Sequence, residues 1–246
     1  QLGILGNETD GHMCVQLTPD GKKLLIAGTD NGKFLGNGKG LLQIWDPVAE
    51  KKLVDMELQK ETRICAMARI APDGKAVVAA ELGKAPQPQL TIWDAHSGRR
   101  RALLDDAVDI RLIMASGKVD TGLPIVFSAD GTLLATMTTK AIKVWNVADG
   151  KLKHTLPITE GVPYMIAAAP SGSILAVSYG DPMPRDPSRQ PELAKVSGHV
   201  QLWDAATGKS LTTLAGSVPY PKTLAFAQDG SRLATASYTW KTGPAD

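Results

Sequence analysis

One short pattern recurs four times along the chain and limits what it can fold into: Leu42-Gln43-Ile44-Trp45-Asp46, Leu90-Thr91-Ile92-Trp93-Asp94, Ile142-Lys143-Val144-Trp145-Asn146 and Val200-Gln201-Leu202-Trp203-Asp204. In each, two aliphatic residues face one way while a polar residue and the Trp face the other, which is the two-residue period of a β-strand. Self-similarity along a chain points to a row of equivalent units, each relying on its neighbours, rather than to one undivided core.

The turns around these strands repeat as well. Each Trp strand runs into Asp94-Ala95-His96-Ser97-Gly98-Arg99, Asn146-Val147-Ala148-Asp149-Gly150-Lys151 or Asp204-Ala205-Ala206-Thr207-Gly208-Lys209. Gly supplies positive φ there, and the Asp or Asn side chain bonds back to the turn backbone. Asp46-Pro47-Val48-Ala49-Glu50-Lys51 lacks the Gly, which predicts a different turn type. Upstream of each Trp, and once more near the end, a second tight turn separates two apolar runs: Pro19-Asp20-Gly21, Pro72-Asp73-Gly74, Ala129-Asp130-Gly131, Pro170-Ser171-Gly172 and Gln228-Asp229-Gly230. Four strands per repeat follow, in the order a to d, with the Asp-Gly turn between a and b and the Trp on c.

On these residues the chain resembles the WD-repeat β-propeller family. The resemblance spans essentially the whole sequence through the Asp-Gly turns and the residues Trp45, Asp46, Trp93, Asp94, Trp145, Asn146, Trp203 and Asp204. It implies radially packed four-stranded blades, usually seven, that dock proteins rather than perform chemistry. Family repeats often carry a Gly-His pair before strand a, linked through a Ser or Thr to the Trp. Here Gly11-His12 fits that pattern, while Gly161-Val162 and Gly216-Ser217 do not, so the polar network is expected to be missing from most blades. The expected fold is all-β: an arc of four complete blades at about 12–58, 62–105, 121–157 and 162–215 and an incomplete fifth at 221–246, within one partial propeller over 1–246 that forms part of a seven-bladed ring. An isolated arc would leave an apolar face open at each end, so blades of a longer chain, or self-association, are expected to close it.

Length variation is confined to particular connections. From the a–b Gly to the Trp the separation is 24, 19, 14 and 31 residues in the four repeats, so the third is minimal and the others carry inserts between b and c. From each Trp to the next such Gly it is 29, 38, 27 and 27 residues, which adds one insert near Asp105 to Leu123. In a propeller, b–c and d–a connections emerge on one face and a–b and c–d turns on the other, so every insert lands on one face. Loops on a rigid scaffold carry recognition. Large side chains on the inserts, Phe34, Leu35 and Arg185, and Trp240 near the end, are the candidate partner-binding residues, because aromatic and Arg side chains dominate interface energetics.

Composition and motifs narrow the function. The net charge is +2, without the basic excess of a nucleic-acid or anionic-membrane binder, and Arg99-Arg100-Arg101 is offset by Asp105, Asp106 and Asp109. Neither nucleic acid nor membrane is expected as a partner. Cys14 and Cys65 lie in apolar stretches without CxxC spacing and read as core residues. No run reaches the ~18 apolar residues of a membrane span. The chain opens on Gln1 rather than Met, so its first residues do not address targeting, and the cytoplasm is only the default compartment. Gly32 to Gly40 fails the phosphate-loop spacing, since Lys33 stands where a Gly is needed. The histidines His12, His96, His154 and His199 are scattered without metal-ligand or dyad spacing. The expectation is a non-catalytic protein-interaction scaffold or sensor with no cofactor and no metal. Two rivals are a quinone-cofactor dehydrogenase propeller, whose repeat resembles Trp203 to Lys209, and a regulatory propeller joined to a kinase or other effector.

Overall fold

A computed structural model describes residues 11–30, 38–83, 88–105, 124–158, 161–181, 198–216 and 221–237. The first blade comprises β1 (Gly11–Leu17), β2 (Leu24–Thr29), β3 (Gly40–Asp46) and β4 (Lys51–Asp55), and the second β5 (Ile64–Ile70), β6 (Ala76–Leu82), β7 (Gln89–Asp94) and β8 (Arg100–Leu104). The third holds β9 (Ile125–Phe127), β10 (Leu133–Met137), β11 (Ala141–Asn146) and β12 (Leu152–Pro157), and the fourth β13 (Val162–Ala168), β14 (Ile174–Gly180), β15 (Gly198–Asp204) and β16 (Lys209–Gly216). A hairpin of β17 (Pro221–Phe226) and β18 (Leu233–Ser237) follows. Each complete blade is an antiparallel meander in sequence order, and the hairpin forms a two-stranded sheet. Among the described residues there is no helix.

Side chains close the hairpins. In the a–b turns the Oδ1 of Asp20, Asp73, Asp130 and Asp229 accepts from the backbone N–H two residues on, at 3.0–3.1 Å. The Gly after each carboxylate sits at φ near +70°, which L side chains enter only with strain. In the c–d turns Asp46, Asp94, Asn146 and Asp204 accept from the N–H groups of Val48, His96, Ala148 and Ala206 at 2.9–3.1 Å. At two of these turns the bonds favour the ionised carboxylate: a backbone bond from Ser97 leads in holding Asp94 far below its ordinary range, and the Ser173 hydroxyl leads in lowering Asp204 to about 2.

The first c–d turn differs from the others in one bond and shares their frame: Gly98, Gly150 and Gly208 donate their N–H groups to the carbonyls of Asp94, Asn146 and Asp204, a bond that Glu50 does not make to Asp46. Glu50 takes φ +53°, standing where Gly98, Gly150 and Gly208 stand in the other blades. The pairing is equivalent too, with Trp45 opposite Lys52 as Trp93 is opposite Arg100. The carboxylate clamp and the strand register therefore set this turn, and Glu50 is forced into the left-handed region without glycine's freedom.

Packing repeats with one polarity. The strand-c aliphatic residues of each complete blade point to the next blade, and the Trp of each later blade points to the one before. Leu42 and Ile44 thus share a cluster with Trp93, Leu90 and Ile92 with Trp145, and Ile142 and Val144 with Trp203. Strand b is buried on both faces, as the unbroken burial of β2 and β10 shows. Blade one presents its own Trp face without a preceding described blade: Val15 and Leu17 are 57% and 51% exposed, whereas Ile70 and Phe127, the counterparts of Leu17, are 1% and 7% exposed.

Replacing Glu50 with Gly removes left-handed strain at a turn whose other bonds are kept. It is expected to raise unfolding stability by about 0.5–1 kcal/mol, read from the denaturant midpoint. The reverse change, Gly98→Ala, places a Cβ on the Asp55 carbonyl oxygen and is expected to lower stability.

Candidate functional site

Hydrogen bonds between connections sort them onto two faces. On one, the N–H groups of Ala95, Val147 and Ala205 in c–d turns donate to Lys75, Thr132 and Ser173 beside the a–b turns of the same blades. At the opposite end of the strands, the Gly40 N–H at the β3 start donates to Thr62 O in the blade one to blade two connection, and the Arg63 N–H donates to Leu82 O at the end of β6. The stems of the β2–β3, β6–β7 and β14–β15 inserts thus share a face with the d–a connections. The β10–β11 connection of the third blade is a short turn on that face, closed by Thr138, whose hydroxyl accepts from the Lys140 and Ala141 N–H groups.

A buried carboxylate anchors this face. Glu81 belongs to the Trp side of blade two, inside the apolar strand β6. Its Oε2 accepts from the Gln59 N–H at 2.8 Å and the Thr62 hydroxyl at 2.7 Å, both in the preceding connection. Its Oε1 accepts from the Thr91 hydroxyl at 2.8 Å and lies 3.5 Å from the Arg100 guanidinium. Beside it, Trp93 donates its indole N–H to Glu57 O at 3.1 Å, and the Gln59 amide bonds Gln89 at the insert stem. Next to this carboxylate the thiol of Cys65 is pushed up, first by burial and then by the charge of Glu81. With no room for a Cβ at Gly83 against the Glu61 carbonyl, the connection lies tight on the stem. The network binds strand, connection and insert base into one unit.

Other blades solve the same problem differently. In blade three Trp145 donates to the Thr136 hydroxyl at 3.0 Å, the Ser/Thr–Trp link of typical repeats. In blade one Trp45 donates to the Gln43 side chain at 2.9 Å. Blade four has Tyr179 at the place of Glu81; its hydroxyl and the Trp203 indole N–H are buried without a partner of good geometry. Burial pushes the Tyr179 hydroxyl up to about 12, and its ring stacks on His199 with centroids 5.0 Å apart at the stem of the longest insert.

The sequence-derived candidates Phe34, Leu35, Arg185 and Trp240 lie outside the described residues. The eight repeat residues occupy equivalent strand-c ends. Cys65 is a core residue as expected; Cys14 is half-buried, packed against the same core cluster, and donates its Sγ–H to Ala68 O at 3.1 Å at the blade one to blade two seam. His154 reaches Ala206 O at 3.0 Å across the blade three to blade four seam. The Glu81 network was not among the sequence candidates. Its signal was a carboxylate at a core-facing position of an apolar strand. Among the described residues no group of three His, Cys, Asp or Glu side chains could hold a metal ion, and no helix is long and apolar enough to cross a membrane.

Repeated meanders, side-chain-clamped turns and Trp-to-aliphatic seams define an all-β arc of four-stranded, propeller-type blades. No family model matches the chain. Over 112 residues, 43% of the chain, it is 31% identical to Autophagy-related protein 18 of Schizosaccharomyces pombe, a WD-repeat β-propeller protein, and the match covers 30% of that relative's length. Among solved structures it is similar to the hydrazine synthase of Kuenenia stuttgartiensis, with a TM-score of 0.61 and 15% identity over 96% of this chain and 58% of that one. At that identity the second likeness concerns the fold alone.

Truncating Glu81 to Ala leaves four donors facing a cavity. The expected loss is about 3 kcal/mol of unfolding stability, with faster hydrogen exchange at the Gln59 and Gly40 amides. Exchange unchanged at both amides would contradict an anchoring role.

Proposed function

We propose that this chain is a non-catalytic interaction module that binds protein partners through its insert-bearing face, as part of a propeller whose blades run at about 12–58, 62–105, 121–157, 162–215 and from 221 on. The observation that carries the reading is the asymmetry between faces: insert stems gather on one, while the other repeats short clamped turns. A rigid base under two of the inserts, Glu81 in blade two and the Tyr179–His199 stack in blade four, lowers the ordering entropy that a recognition loop would otherwise lose on binding. Partial identity to a WD-repeat protein supports the same reading.

Affinity capture of partners by the intact chain, repeated after residues 182–197 are replaced by a turn like Thr138 to Ala141, tests it. Recovery of at least one protein is expected to fall about tenfold or more, with unfolding stability retained. Unchanged recovery, after this and the equivalent trimming of 31–37 and 84–87, would overturn the assignment to this face. A cofactor absorbance band in the purified protein would contradict the non-catalytic reading.

A further inference from the structure

The short-turn face is not uniform, and one of its seams is open. At three seams a side chain or turn of one blade fills the space against the a–b Gly of the next. Lys23 lies over Gly74 and donates its ammonium to Gly74 O at 2.9 Å, Asp73 packs against Gly131, and Pro170 packs against Gly230. At the seam between blades three and four, a Cβ built on Gly172 would meet no atom within 4 Å. A groove of about 540 Å³ runs there, between the a–b turn around Asp130 and the turns holding Ser173 and Ala206.

Sequence explains the opening. Asp73 can lean across its seam because Ala71 offers its carboxylate no hydroxyl. Asp130 is held back instead, by the Ser128 hydroxyl at 2.6 Å and by the Thr132 hydroxyl and N–H at 2.9 and 3.0 Å. Blade one has a similar clasp, with Thr18 on Asp20, but Lys23 then fills the gap; Leu133 stands in the place of Lys23 in blade three and is too short to do so.

The same blade also releases a cation into the groove. In blade two, Arg101, seven residues after Asp94, pairs with that carboxylate at 2.7 Å. The equivalent pair in blade three is Lys153 and Asn146, and Asn146 has no charge to offer. Lys153 lines the groove and makes no ion pair among the described residues. The groove thus combines one unpaired ammonium at its outer end, an apolar wall at Leu133 and Ala206, and at the inner end a carboxylate, Asp130, that favours N–H donors over a second anion.

We propose that this seam is a second docking surface, on the face opposite the inserts, and that it takes an extended acidic peptide segment of a protein partner. A carboxylate of the peptide pairs with Lys153, and peptide N–H groups face Asp130 and the Ser173 side. An anion without donors would be repelled at the Asp130 end, and a basic segment would meet Lys153 uncompensated. The surface does not depend on the function assigned to the insert-bearing face.

Panning a random twelve-residue peptide library on the intact chain tests the proposal. The selected pool from the wild-type protein is expected to be enriched in Asp and Glu, and a synthetic peptide from it is expected to lose affinity about tenfold or more on Lys153→Glu. Asn146→Asp supplies the missing carboxylate and is expected to weaken binding as well, while leaving or raising the melting temperature. Lys209→Ala, at an exposed site on β16, is expected to leave binding unchanged. A pool without acidic enrichment, or peptides indifferent to both Lys153→Glu and Asn146→Asp, would overturn it.

Discussion

Everything in this structure depends on covering the Trp-bearing side of one sheet with the aliphatic side of the sheet before it. Each blade is apolar on both sides, so no blade is a folding unit by itself. At about 1.5–3 kcal/mol for each large apolar side chain withdrawn from water, a seam such as that of Leu42, Ile44 and Trp93 outweighs any single hydrogen bond in the molecule. The polarity of the seams is fixed by strand-c alternation: once the Trp faces backward, the Leu and Ile beside it must face forward. Val15 and Leu17 show what happens to the same positions when nothing described covers them.

Given that constraint, the short turns and the long inserts do different work. Most of the short turns are held by an Asp or Asn side chain at fixed register, and in that frame even Glu50 is driven into a left-handed conformation. The inserts leave the opposite face from bases stiffened by local means: a buried carboxylate in blade two, a ring stack in blade four. Variation between seams arises from single substitutions against a constant frame. Leu in place of Lys and Asn in place of Asp are enough to open one groove and leave one ammonium without an ion pair among the described residues.

The fold was legible because strand periodicity, Asp-Gly turns and Trp spacing agree with one another at every repeat, so errors in any one are corrected by the others. The four Trp strands fell where alternation put them. What sequence did not yield was interaction between connections and strands. Nothing in the run Ala76 to Leu82 says that Glu81 will meet Gln59 and Thr62, because that meeting requires the chain to return from the outer strand of blade one to the inner strand of blade two. At Glu50 the two levels conflict: residue type argues against a left-handed position, while the strand register on both sides demands it. Glu81 did leave a trace, a charge where the period calls for an apolar residue.

A double-mutant cycle across one seam tests this account most directly. Ile44→Ala and Trp93→Phe, one on each side of the seam between blades one and two, are expected to couple by about 0.5 kcal/mol or more in unfolding free energy. Ile44→Ala with Trp203→Phe, whose Trp serves a different seam, is expected to be additive within about 0.3–0.5 kcal/mol. Additivity of the first pair, or equal coupling in both, would contradict a stack of blades in which each aliphatic side covers the next Trp.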